Sequence, residues 1–135
     1  MKPVRCGGVV GLSVLLLAAA FGSVALAQER SPAERQTLVA LAYLIGESHA
    51  LRQTCTGKAD QYWRTRMQQL VAAEQPDAPF SRRLTDSFND GFVAGRQGFP
   101  SCDAHARQEA ARVAAKGREL SVTLTGSVAD DAATR

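Results

Sequence analysis

Histidine and cysteine are scarce in this 135-residue chain, and neither is grouped as metal or thiol chemistry would need. The three cysteines include no C-x-x-C, which excludes the usual dithiol oxidoreductase. His49 and His105 are the only imidazoles, and neither sits in a nucleophile motif. Ser48 beside His49 carries little weight, because successive helical residues point about 100° apart. Aromatics make up only 6% of the chain. No stretch sustains the two-residue alternation of a half-buried strand, and no internal repeat or low-complexity linker is present. Charge of one sign is also lacking. Beyond residue 27 there are 14 basic against 13 acidic residues, too even a balance to neutralise a run of phosphates, so nucleic acid is not an expected partner.

What is present is an ordinary globular share of apolar residues, 45%, in a length that holds one domain. Residues 1–27 read as a secretory signal: Lys2 and Arg5, an apolar stretch from Val9 to Phe21, then Ala25-Leu26-Ala27 before polar Gln28. A retained anchor is the rival reading, since no charge lies between Arg5 and Glu29, but Gly and Ser dilute the run. With the leader removed, no membrane attachment is expected, and the protein is placed in the periplasm. Removal also takes Cys6 away and leaves Cys55 and Cys102, an even pair in an oxidising compartment, which predicts a disulfide. A zinc site built from these two cysteines with His49 and His105 would need them reduced, and the His49–Cys55 spacing fits one helical face poorly. No metal or other cofactor is expected.

The pattern predicts an all-α domain, a small bundle of about four helices, over residues 28–124, followed by a flexible tail at 125–135. Ser31-Pro32-Ala33-Glu34 is a capping-box start, and Leu38, Leu41, Leu44, Ile45 and Leu51 carry a first helix to about Arg52, with Thr56-Gly57 as its terminator. Asp60 can cap a second helix with Trp63, Met67, Leu70 and Val71 on one stripe, ended by the Pro76–Pro79 segment. Ser81 is the expected start of a third, with Leu84, Phe88 and Phe92 along one side and Gly91 and Gly95 on an adjacent strip open to close helix approach. Ser101 or Asp103 opens a fourth, carrying Cys102, Ala106, Ala110, Val113, Leu120 and Leu124 near one face; from Thr125 it is expected to fray.

Candidate chemistry is thin. Asp86 to Gly91 departs from the calcium-loop pattern at Phe88 and Gln97, each departure removing an oxygen ligand. Glu47, Glu74, Asp86, Asp90 and Glu109 are scattered singly, so a wall-cleaving hydrolase would depend on the fold bringing two together. Arginine supplies 12 of the 14 basic residues after the leader, a bias that a G+C-rich coding sequence and solvated helix faces explain. No catalytic residue is assigned. The expected binding residues are Trp63, Arg64, Phe88, Asn89 and Phe92, because Trp and Arg are over-represented at binding hot spots; the rival reading is that these aromatics fill the core. The partner expected is an envelope protein, with a hydrolase or an acid-stress chaperone as alternative functions.

Tyr43-Leu44, Leu51-Arg52-x-x-Cys55-x-Gly57, Trp63-Arg64-x-x-Met67, Glu74, Arg83, Phe88-Asn89-x-Gly91-Phe92 and Cys102 occur in this order. Together they resemble a family of small exported alphaproteobacterial proteins of unknown function with two well-separated cysteines. The likeness spans roughly residues 38–124. It implies export and a disulfide, carries no activity, and transfers no catalytic residue. The family favours tyrosine where this chain has Phe92.

Overall fold

The computed structural model describes residues 29–134, so the expected leader at 1–27 lies outside the described residues. Four helices follow one another: α1 (Pro32–Thr56), α2 (Tyr62–Glu74), α3 (Ala78–Gly98) and α4 (Ala104–Ala133). The all-α expectation is met.

Local sequence sets most of the boundaries. Ser31 and Glu34 form the reciprocal capping box, Glu34 N donating to Ser31 Oγ at 3.3 Å and Ser31 N to Glu34 Oε2 at 2.8 Å. Gly57 ends α1 at φ 102°, a conformation that side chains resist. Other boundaries differ from expectation: α1 continues past Arg52 to Thr56, and Gln61, not Asp60, stands at the cap of α2, although Asp60 Oδ1 accepts from Tyr62 N at 3.0 Å. The third helix starts at Ala78, not Ser81, because Asp77 is its cap and accepts from Phe80 N at 2.7 Å. Pro79 therefore lies in the first turn, where a missing N–H costs no helical hydrogen bond. The fourth helix continues past Thr125 to Ala133. Leu124 is buried, and Ser127 Oγ donates to Glu34 Oε1 at 2.8 Å, so the start of α1 holds the far end of α4 in place.

α1 is the hub. It packs against each of the other three helices, α2 and α3 touch only slightly, and α4 makes its helix–helix contacts with α1 alone. Every residue from Ile45 to Leu51 is consequently buried, polar or not. One core cluster joins Leu38, Leu41, Ala42 and Ile45 to Met67, Phe80, Leu84, Phe88 and Leu124; a second joins Leu51 to Ala106 and Val113.

The α1–α3 crossing brings backbone against backbone. A Cβ at Gly46 would lie 1.9 Å from Phe88 O, and one at Gly91 would lie 2.0 Å from Tyr43 O. No side chain fits at either place, so the strip foreseen at Gly91 and Gly95 meets a matching one on α1. Ser87 Oγ closes the same seam by donating to Val39 O at 2.8 Å. At the other end of α1, Cys55 and Cys102 are joined with Cα atoms 4.9 Å apart, fastening the last turn of α1 to the residue before the Asp103 cap of α4.

Candidate functional site

Because α2 and α3 diverge from their common neighbour, a groove of about 400 Å³ opens between them. Met67, Val71, Ala72 and Phe88 line it with apolar surface, while Arg64, Gln68, Thr85 and Asn89 supply the polar groups. Three of the five expected binding residues, Arg64, Phe88 and Asn89, thus meet in one place. Arg64 and Asn89 are exposed, the Phe88 ring is only 5% exposed, and the Arg64 guanidinium stands 5.9 Å over it. The other two are placed elsewhere. Trp63 is half-buried, edge-on to Tyr62, and faces a separate cavity; Phe92 is half-buried with its ring 5.3 Å from that of His49.

His49 is neither a surface nor a helix-end residue. It is fully buried, next to Phe88 and Phe92. Gln53 Nε2 donates to Lys58 O and Asp60 O, both at 3.0 Å, and stands 3.3 Å from His49 Nε2. Both N–H groups of that amide are thus committed to carbonyls, and His49 Nδ1 is buried without a hydrogen-bond partner. Burial, and secondarily the charge of Arg64, lower the pKa and keep the ring neutral. A ring sealed in this way cannot reach a substrate. The His105 ring lies tilted against that of Phe99, centroids 5.1 Å apart. The cysteines are bridged, and among the described residues no three His, Cys, Asp or Glu side chains converge on a metal position.

Two carboxyl groups do come together. Glu47 is 8% exposed on α1, no N–H or O–H donor reaches it among the described residues, and it lies within hydrogen-bonding reach of Glu109 on α4. Burial, then the charge of Glu109, raise the Glu47 pKa. Arg112 grips Glu109, Nε to Oε2 at 2.8 Å, and lowers the pKa of that partner. The two environments pull in opposite directions, biasing Glu47 toward its protonated form and Glu109 toward its ionised one. A glycosidase holds its two carboxyls about 5–9 Å apart with the substrate between them, and a pair in contact leaves no room for one. Asp86 and Asp90 are exposed on α3, and Glu74 is occupied by Arg30, whose Nε and Nη2 reach its two oxygens at 2.8 Å each.

Sequence reading missed Met67, Gln68 and Val71 as groove residues, and Glu47 as a buried acid. Met67 and Val71 look like part of an ordinary core stripe, and Gln68 like a solvated polar position. Glu47 sits on a helix whose polar and apolar positions are buried alike, so periodicity gives no sign of it.

The fold and groove define a class: a small all-α domain with one disulfide and a polar-rimmed apolar groove, lacking an assembled catalytic set among the described residues. Within that class the chain belongs to the family described as "Protein of unknown function (DUF2385)", whose profile matches residues 32–127. No curated protein and no solved structure matches it.

Proposed function

We propose that this is an exported, non-enzymatic protein-binding module of the periplasm, which receives an apolar segment of an envelope protein in the α2–α3 groove. The observation that carries the reading is the groove itself: an apolar floor at Met67, Val71 and Phe88, with Arg64 and Asn89 beside it. Arg64 enters no carboxylate ion pair among the described residues, so a segment bearing an acidic side chain is the complementary partner. The signal-like leader and the Cys55–Cys102 bridge support export. The hydrolase alternative has less support, since its two carboxyls are in contact. The acid-stress chaperone alternative rests on architecture by analogy.

Photo-crosslinking in living cells tests the reading. A crosslinking residue at Gln68 or Asn89 is expected to capture one discrete envelope protein, and one at exposed Arg118 on α4 is not. Ala72→Glu, which fills the groove from an exposed position, is expected to abolish capture while leaving the helical circular dichroism unchanged. Equal capture from Arg118, or capture indifferent to Ala72→Glu, would sink it.

A further inference from the structure

Between α2 and α4, over α1, lies a second cavity of about 210 Å³. It is smaller than the roughly 300–1,000 Å³ of pockets that take drug-sized ligands. Its walls are mostly apolar: Leu51 from α1, the half-buried Trp63 from α2, and Ala110 and Ala114 from α4. Two polar groups stand out against them. Ser48 is 8% exposed and lines the cavity, yet its hydroxyl makes no hydrogen bond within the protein among the described residues. The Ser48 oxygen is not sealed from solvent, so an occupant of the cavity can reach it. Arg107 lines the cavity from α4, donates Nη1 to Cys102 O at 3.1 Å, and enters no ion pair among the described residues. Arg52, across from it, is already committed to Asp60 at 2.7 Å.

We infer that this cavity is a binding site for a small organic monocarboxylate, whose carboxylate meets Arg107 and the Ser48 hydroxyl and whose short apolar body lies against Trp63, Leu51 and the α4 alanines. One unpaired guanidinium matches one negative charge and can hold it through two N–H groups, which favours a carboxylate over a doubly charged phosphate. The Ser48 hydroxyl supplies a second donor on the inner side of the cavity, opposite the exposed Arg107 at its rim. The disulfide is part of the site: Cys55 lines the cavity, and the carbonyl of Cys102 holds Arg107. This site is separate from the α2–α3 groove, and neither reading depends on the other.

Trp63 is the only tryptophan in the chain, so its fluorescence reports on the cavity directly. The oxidised protein would be titrated with hexanoate and 3-phenylpropanoate, with their primary amides, and with a short peptide ending in leucine as the free acid or the amide. A saturable change in emission with an acid but not its amide is expected. Arg107→Gln should weaken it roughly tenfold or more, and Ser48→Ala about threefold, as for a charged and a neutral hydrogen bond. Saturation by the free acids assigns a small metabolite, and saturation by the peptide acid alone assigns a chain terminus; either upholds carboxylate recognition. Backbone amide shifts in nuclear magnetic resonance provide a second readout, expected to cluster at Ser48, Trp63 and Arg107. No saturable change by either method, equal response to acid and amide, or unchanged affinity in Arg107→Gln overturns the assignment.

Discussion

At Gly46 a single methyl group separates a folded from a disrupted crossing. Its Cβ would lie 1.9 Å from Phe88 O, so Gly46→Ala must push α1 and α3 apart, against a helix-propensity gain of only about 1 kcal/mol. The expected net loss is about 2–4 kcal/mol in urea unfolding, an overpacking cost borne by backbone that cannot rotate away. Glycine 98, with open space around it, is the control, and Gly98→Ala should change stability little. Glu47 gives a residue-scale prediction in pH. Its pKa is raised in the folded state, so folded protein holds a proton that unfolded chain releases above the ordinary glutamate range near 4.3. Its contribution is therefore present in acid and lost as pH rises. Glu47→Gln keeps a donor toward Glu109 without the charge, and should gain stability over the parent as pH is raised, the gap closing near pH 4. His49 works in the opposite sense, its neutral form favouring the fold above the ordinary imidazole range, which is why the comparison is made between variants and not on the parent curve alone.

At the scale of elements, helix identity was legible in the sequence, and the way the helices are used was only partly so. The Ser31 capping box, the Gly57 stop and the Gly91–Gly95 strip are local signals, and they hold because local hydrogen bonding and close approach depend on the residues themselves. The start of α3 was misplaced because Pro79 looks like a breaker unless Asp77 is recognised as the cap that sets it in the first turn. The end of α4 was misplaced because its stability is tertiary. Small polar residues after Thr125 have nothing of their own to bury, and Leu124 and Ser127 are held by α1. Leu124→Ala should therefore cost about 2–4 kcal/mol, as for a core leucine, and raise amide hydrogen exchange in the last turns of α4. The candidate site divides similarly. Arg64, Phe88 and Asn89 were readable as a group, whereas Trp63 and Phe92 turn to other neighbours, a matter of helix rotation that spacing alone does not fix.

For the whole molecule, the bridge and the capping carboxylate set the limits of stability. Closing a loop with its ends 47 residues apart is worth about 4 kcal/mol in unfolded-chain entropy, so reduction, or Cys55→Ser with Cys102→Ser, should lower the unfolding free energy by about that amount. Glu34, held at a pKa of about 2 by the Ser31 backbone N–H and by Ser127 and Ser31, contributes stability that is present above the usual glutamate range and lost as pH falls toward 2. Glu34→Gln should make acid unfolding begin from a less stable protein but with a shallower pH slope. The placement of α4 has a mechanical consequence. With its backbone packed against α1 and a covalent pin just ahead of its first turn, α4 is a blade on a pivot: were it to swing outward, Leu51, Val113 and Leu124 would be laid bare while the glycine-to-backbone seam of α1 and α3 stayed shut.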